Sequence, residues 1–450
     1  MEHPIPRIVL AGTRSGCGKT TVTCAILRAL TTRGRTVAAF KCGPDYIDPM
    51  FHRHITGNGA NLDPFFFDPN TLRYLLAKHA EGRDIAVLEG VMGLYDGVGM
   101  TARASTYETA RLTGSPVVLI VGANGVALSA LAEVQGFLDF VPDAPIRGVI
   151  FNRCSAGLYP VLAEELRRRF PAVRPLGYLP ALPDGTLESR HLGLVTAAEV
   201  ADLDRKLDAL AASAEKSLDL DGLLSLARAA EPIVCEPVAL PRFAEGVRIA
   251  VARDRAFCFY YEDSLGVLEA MGAALVPFSP LSDEALPPEI DGLILGGGYP
   301  ELYARELSEN GTMRASVRAA LERGLPCIAE CGGFLYLTER IGEFPMAGFL
   351  SGTCRDTGGL SRFGYITLRA KRDNLLCRAG EAIPAHEFHR WDCDEPGACF
   401  TAEKPNGRRW DCAVAADTFY AGFPHFHFYA EPRFAVRYYE ACLKEKHRHG

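Results

Sequence analysis

The chain has 450 residues, of which 48% are hydrophobic and 23% are charged, as in an ordinary globular protein. This length predicts two or three domains, each long enough to bury a full core. The net charge of −7 argues against nucleic acid as the main partner, because binding a phosphate backbone requires a concentrated basic surface. The 14 cysteines are irregularly spaced and form no C-x-x-C pair, which indicates reduced cytosolic thiols rather than a disulfide framework.

The N-terminal region and the longest apolar stretch bear on localisation. An apolar strand pattern starts almost at the N-terminus, so we expect no targeting segment before it. Residues 116–132 form the longest apolar stretch, but Gly122, Asn124 and Gly125 interrupt it. We therefore expect a buried strand followed by a helix, no membrane span and a cytoplasmic location.

A glycine-rich segment, GTRSGCGKTT at residues 12–21, lies between an apolar run and a helical pattern. Strand, glycine-rich turn and helix together are the context of a phosphate-binding loop. Its glycines let backbone N–H groups surround phosphate oxygens, and the helix N-terminus adds partial positive charge. Lys19 can reach the β- and γ-phosphates, and the Thr20 hydroxyl can bind Mg²⁺. The predicted nucleotide-binding residues of this segment are Gly12, Thr13, Gly16, Gly18, Lys19, Thr20 and Thr21.

Further apolar runs alternate with helical patterns in this half of the chain. They lie at residues 36–42, 84–88, 117–121 and 148–152. Strands that are apolar throughout and separated by helices predict an α/β fold with a parallel sheet covered on both faces. In such sheets ligands bind beyond the carboxyl ends of the strands, where Asp45, Glu89 and Asn152 are expected.

Two acids at these strand ends are candidate metal ligands. Asp45 and Glu89 are predicted to hold Mg²⁺ together with Thr20, since hard cations take oxygen ligands and bridge phosphates. The alternative is that each acid caps a turn. Asn152 offers both a donor and an acceptor, which suits an adenine edge.

Two neighbouring residues have two interpretations each. Lys41 either neutralises a transferring phosphoryl group or is simply a cation at a strand end. Asp48 either orients a substrate carboxylate or stabilises its loop.

A proline-rich stretch separates the two halves of the chain. Residues 197–230 have a helical pattern, after which Pro232, Pro237 and Pro241 interrupt helix formation. We therefore predict a first domain at residues 1–230, a linker at 231–246, and a second α/β domain at 247–450.

The second half contains a candidate nucleophile. Residues 325–337 predict a strand, a sharp turn at Cys331 and a helix, and a thiol at such a helix N-terminus is favoured as thiolate. A lone cysteine usually packs in a core, but the adjacent Glu330 and small residues favour a catalytic role. An apolar strand before residue 296 runs into three glycines, and the backbone N–H groups of Gly297 and Gly298 are predicted to stabilise an oxyanion.

A thiol nucleophile needs a base, and residues 420–428 place His425 and His427 on the same side of an extended segment. This segment resembles the histidine-bearing segment of class I glutamine amidotransferases, which implies that His425 is the base. Those enzymes usually have a glutamate two residues later, where this chain has His427. His427 either orients His425 or faces substrate carboxylates. His386 and His389 are predicted at an interface or substrate-side segment, with no closed metal-ligand set.

Several segments together resemble the cobyrinate a,c-diamide synthase family. They are residues 12–20, with five residues between Gly12 and Gly18 where four are usual, and residues 41–49, 89–97, 152–153 and 188–194. The resemblance covers nearly the whole chain. It implies an ATP-binding domain of the dethiobiotin synthetase type followed by a class I glutamine amidotransferase domain.

The resemblance also implies a reaction in cobalamin biosynthesis. ATP phosphorylates the a- and c-carboxylates of a corrinoid, and ammonia released from glutamine attacks each acyl phosphate to form an amide. Expected ligands are ATP, glutamine and the corrinoid, with Mg²⁺ as cofactor, no nucleic acid or membrane as partner, and a homodimer as assembly. Arg190 and His191 either contact substrate or phosphate or have a structural role.

Other functions are compatible with parts of this pattern. The same chemistry could act on hydrogenobyrinate or nickel sirohydrochlorin, because the reacting carboxylates are peripheral to the central metal. Cobyric acid synthase amidates other side chains, and the matches at residues 41–49 and 188–194 argue against it. A nucleotide-switched binding protein with an inactive amidotransferase domain is a further alternative, against which Cys331 and His425 argue.

Overall fold

The computed structural model describes residues 2–182, 189–190, 193–194 and 196–449. The chain divides into two compact units, Met1–Val238 and Ala239–Gly450. Their boundary falls within the stretch predicted as a linker.

The first unit is built on a parallel sheet. Its strands are β1 (Glu2–His3), β2 (Arg7–Gly12), β3 (Val37–Cys42), β4 (Ala60–Leu62), β5 (Ile85–Glu89), β6 (Val117–Gly122), β7 (Ile146–Asn152), β8 (Arg174–Leu179), β9 (Ser189–Arg190), β10 (Gly193–Leu194) and β11 (Ile233–Val234). Its helices are α1 (Lys19–Thr32), α2 (Asp48–Thr56), α3 (Pro69–Ala80), α4 (Thr106–Thr113), α5 (Ser129–Phe140), α6 (Tyr159–Arg169), α7 (Leu203–Ser217) and α8 (Leu220–Arg228).

Seven of these strands pair in parallel, in the order β4-β3-β5-β2-β6-β7-β8. Every residue of β2, β3 and β5 is buried, which explains why these strands are apolar along nearly their whole length. The chain crosses from one side of β2 to the other between β5 and β6, and the phosphate loop follows β2. Such a switch point opens a crevice at the carboxyl ends of the strands.

The second unit combines parallel and antiparallel sheets. Its strands are β12 (Arg248–Ala252), β13 (Phe257–Phe259), β14 (Ala274–Phe278), β15 (Gly292–Leu295), β16 (Gly297–Gly298), β17 (Cys327–Glu330), β18 (Arg340–Ile341), β19 (Phe344–Pro345), β20 (Thr353–Asp356), β21 (Arg362–Ala370), β22 (Ala382–His389), β23 (Trp391–Cys393), β24 (Phe400–Glu403), β25 (Arg409–Cys412), β26 (Val414–Ala415), β27 (Phe419–Gly422) and β28 (His425–Phe426). Its helices are α9 (Glu262–Met271), α10 (Ala304–Glu309), α11 (Gly311–Glu322), α12 (Gly332–Leu337) and α13 (Pro432–His449).

The central sheet of this unit has the order β14-β12-β15-β17-β27-β26, and only the β26–β27 pair is antiparallel. A five-stranded antiparallel sheet, β25-β24-β21-β22-β28, lies in the same unit. Strand β17 lies inside the central sheet and leads directly into α12, so the turn between them is held by the core on both sides. The predicted fold class, two successive α/β domains, is confirmed. Over the described residues, no helix is both long and apolar enough to span a membrane.

Candidate functional site

The phosphate loop between β2 and α1 depends on glycine at Gly18. Its φ is 93°, and a Cβ there would come within 2.0 Å of Nδ2 of Asn152. That Nδ2 donates a 2.8 Å hydrogen bond to the carbonyl of Cys17. Asn152 therefore holds the loop in place, and its predicted contact with adenine stays a prediction.

Lys19 lies at the centre of this loop. Its Nζ donates to the carbonyl oxygens of Met92 at 2.6 Å and Arg14 at 3.3 Å. Met92 has a φ of 48°, a backbone conformation that non-glycine residues adopt rarely and mostly where function requires it. Burial lowers the pKa of Lys19. The loop thus places an ammonium group among backbone dipoles at the crevice.

The remaining predicted loop residues occupy the same turn. A Cβ on Gly12 would lie 2.4 Å from Sγ of Cys17, so the loop packs tightly against the end of β2. Gly16 has a φ of 76° and open space around it. The hydroxyl of Thr13 is buried without a hydrogen-bond partner in the described part of the chain, and Thr21 lies in the first turn of α1.

Beside the loop, oxygen atoms from three elements meet at Thr20. Its hydroxyl donates to Oε1 of Glu89 at 2.7 Å and lies 3.2 Å from Oδ2 of Asp48. Nζ of Lys41 donates to Oε1 of Glu89 at 3.0 Å and also forms an ion pair with Asp48. Lys41, Asp48 and Glu89 are all buried.

Lys41 and Glu89 stabilise each other's charges, whereas burial and the neighbouring carboxylate of Asp45 raise the pKa of Asp48 well above its usual value. Burial raises the pKa of Glu89, but the charge of Lys41 and hydrogen bonds from His52 and Thr20 outweigh burial and hold that pKa far below its usual range. Burial lowers the pKa of Lys41, and the carboxylates of Asp48 and Glu89 more than reverse this effect. A buried ammonium and a buried carboxylate are thus both kept charged.

Asp45 uses one carboxylate oxygen within its own turn, and its predicted role as a metal ligand stays a prediction. Its Oδ1 accepts the backbone N–H groups of Ile47 at 2.8 Å and Asp48 at 3.0 Å, which is the turn-capping alternative. The structure also brings Asp48 to Thr20. The reason is local, because α2 starts at Asp48 and turns that side chain back towards the phosphate loop.

The donor set fits Mg²⁺, which prefers a few carboxylate and hydroxyl oxygens and completes its shell with phosphate and water. Thr20 supplies a hydroxyl oxygen, and Asp48 and Glu89 each place a carboxylate oxygen within hydrogen-bond reach of it. Among the described residues, no cluster of three or more His, Cys, Asp and Glu side chains forms a ready-made metal cage. A site completed by nucleotide phosphates agrees with both observations.

His52 belongs to this site and was not predicted from the sequence. Its Nε2 lies 2.8 Å from Oε2 of Glu89, and both side chains are fully buried. The signal that could have revealed it is spacing, because Asp48 and His52 are four residues apart and share one face of α2.

In the second unit, Cys331 forms a strained turn between β17 and α12, with φ 47° and ψ −99°. Its N–H donates to the carbonyl of Gly422 at 2.7 Å, and the N–H of Gly333 donates to the carbonyl of Gly296 at 2.9 Å. A Cβ on Gly333 would lie 2.1 Å from the carbonyl oxygen of Leu295. The turn can therefore approach the central sheet this closely only with glycine at position 333.

The triple glycine lies beside this turn. The backbone nitrogen of Gly298 lies 3.1 Å from the point where a Cβ on Gly332 would be. A Cβ on Gly297 would lie 2.6 Å from Cε1 of His425. The N–H groups proposed for the oxyanion are thus next to both the candidate nucleophile and the candidate base.

His425, on β28, is brought to Cys331 although the two lie far apart in the chain. Burial lowers the pKa of His425, but hydrogen bonds to Cys331 and Glu330 outweigh it and raise this pKa to about 10. Nδ1 of His425 lies 3.0 Å from Oε2 of Glu330. The ring is therefore held between a thiol and a carboxylate.

The other histidines of this unit are placed differently. Nδ1 of His427 accepts the N–H of Tyr429 at 3.2 Å. His386 pairs with His425 across β22 and β28, and the ring of His389 stacks on Phe423 at 3.8 Å. These two belong to β22, which lies between β21 and β28. Of the candidate substrate residues, His191 and the side chain of Arg190 lie outside the described residues.

Comparison with known families divides the chain as its fold does. Residues 8–194 match the family described as CobQ/CobB/MinD/ParA nucleotide binding domain. Residues 248–432 match the family described as CobB/CobQ-like glutamine amidotransferase domain. A solved glutamine amidotransferase structure matches 43% of this chain and 98% of its own at 19% identity, with a TM-score of 0.30 that is too low to support an assignment.

Curated relatives match along nearly their whole length. A cobyrinate a,c-diamide synthase of Caldanaerobacter subterraneus subsp. tengcongensis is 38% identical over 443 residues, 96% of this chain and 98% of that one. Those of Streptococcus sanguinis and Priestia megaterium are 40% and 37% identical, covering 94% and 98% of this chain and 96% and 98% of theirs.

Fold and sites together define a glutamine-hydrolysing, amide-forming ligase with a P-loop nucleotide-binding domain. The chain belongs to the cobyrinate a,c-diamide synthase family.

Proposed function

We propose that this protein uses ATP and glutamine to convert the a- and c-carboxylates of cobyrinate into amides, in cobalamin biosynthesis. The observation that carries the proposal is the occurrence of two complementary sites in one chain. The first unit gathers Lys19, Thr20 and Glu89 at a phosphate loop, and the second joins Cys331 to His425. One site makes ammonia, and the other activates a carboxylate that consumes it. The names of the relatives support cobyrinate as the substrate.

At the glutaminase site, His425 takes the proton of Cys331, and the thiolate attacks the carboxamide carbon of glutamine. The N–H groups of Gly297 and Gly298 stabilise the negative charge that develops on the carbonyl oxygen. His425 then returns the proton to the leaving nitrogen, which departs as ammonia. Water hydrolyses the remaining thioester to glutamate and frees the thiol.

At the synthetase site, a substrate carboxylate oxygen attacks the γ-phosphorus of ATP and ADP leaves. Ammonia then attacks the acyl carbon, and phosphate leaves in place of the oxide ion that a free carboxylate would have to expel. Lys19 and Lys41 counter the negative charge of the phosphoryl group during its transfer. Thr20, Asp48 and Glu89 would hold Mg²⁺, which when bound neutralises phosphate charge.

Other predicted roles remain part of the proposal. Asn152 contacts the adenine edge, and Asp45 joins Thr20 and Glu89 as a metal ligand. Arg190 and His191 are proposed to contact substrate or phosphate. We also expect a homodimer in the cytoplasm, with neither nucleic acid nor membrane as partner.

The test supplies the protein with ATP, Mg²⁺, cobyrinate and either glutamine or ammonia, and follows products by mass spectrometry. We expect two successive amide gains with either nitrogen source. Cys331→Ala should stop glutamate release and leave ammonia-supported amidation intact. Cys327→Ala, which changes a buried thiol in the preceding strand, is the matched control and should hydrolyse glutamine normally.

Parallel reactions with hydrogenobyrinate and nickel sirohydrochlorin identify the macrocycle. A clear preference for either ring over cobyrinate would move the substrate assignment to that ring. Absence of amide product with all three rings, together with normal nucleotide binding, would instead favour the nucleotide-switched binding protein.

A further inference from the structure

Glu330 is the last residue of β17 and immediately precedes the candidate nucleophile. Its Oε2 lies 3.0 Å from Nδ1 of His425, although the two residues are 95 positions apart in the chain. The side chain of His425 is 3% exposed and that of Glu330 16% exposed, so little water competes for this contact. Because Nδ1 of His425 is hydrogen-bonded to Glu330, the other ring nitrogen, Nε2, is the one that can exchange a proton with Cys331.

His427 is the other side chain considered as a partner for His425. In the structure its Nδ1 accepts the backbone N–H of Tyr429 at 3.2 Å, and its ring centre lies 5.0 Å from that of Tyr261. The single lone pair of that nitrogen is used by a backbone N–H, so this atom is not available to accept the N–H of His425. Glu330, in contrast, brings a carboxylate directly to His425.

Two of the neighbouring histidines, His386 and His389, carry no charge near neutral pH. His386 on β22 lies opposite His425, and burial lowers its pKa to about 3. Burial likewise lowers the pKa of His389, on the same strand, to about 4. The charges that act on His425 therefore come mainly from Glu330 and from the thiolate that forms at Cys331.

We infer that Glu330 is the positioning residue of the glutaminase site and completes a Cys331–His425–Glu330 triad. Its carboxylate accepts the Nδ1–H of His425, which leaves Nε2 free to take the proton from Cys331. When that proton moves, the carboxylate stabilises the imidazolium without itself becoming protonated, as in other triads. The inference rests on the proposed glutaminase function.

The test measures glutamine hydrolysis by the full chain as a function of pH for Glu330→Gln, Glu330→Asp and His427→Asn. Glu339→Gln is the matched control, because Glu339 is an exposed glutamate two residues beyond the end of α12. For Glu330→Gln we expect kcat to fall at least about 100-fold with KM changed less than about 2-fold, because losing a carboxylate that orients a functional histidine costs about 100- to 10,000-fold. Glu330→Asp should recover part of kcat.

The pH profile separates positioning from simple structural damage. Loss of the carboxylate makes the imidazolium easier to deprotonate, so the basic limb of kcat/KM should move to lower pH in Glu330→Gln and stay in place in His427→Asn. The rate of Cys331 alkylation by iodoacetamide follows the thiolate, so without Glu330 to stabilise the imidazolium its midpoint should move to higher pH in Glu330→Gln, with no glutamine required. This second readout applies to any variant that keeps a folded second unit.

Two results would overturn the inference. One is a Glu330→Gln variant whose kcat and basic limb match those of Glu339→Gln. The other is a shift of the basic limb in His427→Asn alone, which would make His427 the partner. Failure of the underlying function has a different signature, because Cys331→Ala would then hydrolyse glutamine at the wild-type rate.

Discussion

His52 and Glu89 form a fully buried pair, with Nε2 of the histidine 2.8 Å from Oε2 of the glutamate. The other carboxylate oxygen of Glu89 accepts from Thr20 and Lys41. The carboxylate is therefore fixed on both sides. A ligand held this way needs less reordering when it binds a metal ion, which is how residues behind the ligands tune metal affinity.

The first prediction is that His52→Ala weakens Mg²⁺ binding about 10- to 100-fold, the usual cost of losing a group that orients a ligand. The measurement is the Mg²⁺ concentration that half-saturates ammonia-supported amidation, together with Mg²⁺-dependent nucleotide binding. His54→Ala is the control, because His54 lies on the same helix with its side chain 39% exposed. Equal Mg²⁺ dependence in the two variants would show that His52 does not support Glu89.

The second prediction concerns Lys19. Its Nζ is held at the loop by the carbonyls of Met92 and Arg14, where we propose that it meets the transferring phosphoryl group. Lys19→Ala should lose at least about 100-fold in amidation with both glutamine and ammonia, because charge stabilisation is the main catalytic contribution in phosphoryl transfer. Lys216→Ala, at an exposed position, should match wild type. A Lys19→Ala variant impaired with glutamine alone would argue against a role in phosphoryl transfer.

The parallel strands could be predicted from the sequence because burial on both faces makes each one a nearly continuous apolar run. Strand β3 is an example, with all of Val37–Cys42 buried. The antiparallel sheet was not predicted, since β22 mixes buried histidines and a glutamate with apolar residues. Its histidine segment was predicted at an interface or on the substrate side, and it lies between β21 and β28.

Within the sites, local motifs were easier to predict than contacts between distant segments. The phosphate loop and the turn at Cys331 are each encoded in about ten consecutive residues. Which acid meets Thr20 depends instead on where α2 begins, a boundary that the turn-rich loop does not reveal. The contact of Glu330 with His425 links residues 95 positions apart, so it depends on the pairing of β17 with β27 and on the turn from β27 into β28.

The third prediction concerns the glycine that carries a proposed oxyanion N–H. Gly298 has a φ of 154°, and a Cβ there would lie 2.0 Å from the carbonyl oxygen of Ala256. Gly298→Ala must therefore shift backbone, and we expect glutamine hydrolysis to fall about 100-fold or more, as when an oxyanion donor is lost. Ammonia-supported amidation should continue at the wild-type rate.

Gly266→Ala is the matched control for this substitution. Gly266 lies inside α9, and a Cβ added there would meet open space, so alanine should raise stability by about 0.5–1 kcal/mol. If Gly298→Ala hydrolysed glutamine as fast as Gly266→Ala, the strand β16 would not form the oxyanion site.

The last prediction concerns Glu387, which is 2% exposed in the antiparallel sheet. Burial raises its pKa from 4.5 to about 7, only partly offset by the charge of Arg362. A carboxyl whose pKa is raised on folding stabilises the fold fully below pH 4.5, and that stabilisation is lost as pH rises through about 7. The rise corresponds to about 3 kcal/mol in the free energy of unfolding.

Glu387→Gln removes this titration while keeping the shape of the side chain. The wild type should therefore lose about 3 kcal/mol relative to Glu387→Gln between about pH 4.5 and about pH 8.5. Urea unfolding followed by tryptophan fluorescence measures this difference, because both tryptophans, Trp391 and Trp410, lie in the second unit. Glu440→Gln, at an exposed site, should follow the wild type at both pH values. Parallel stability curves for wild type and Glu387→Gln would mean that Glu387 is ionised in the folded protein, with Arg362 outweighing burial.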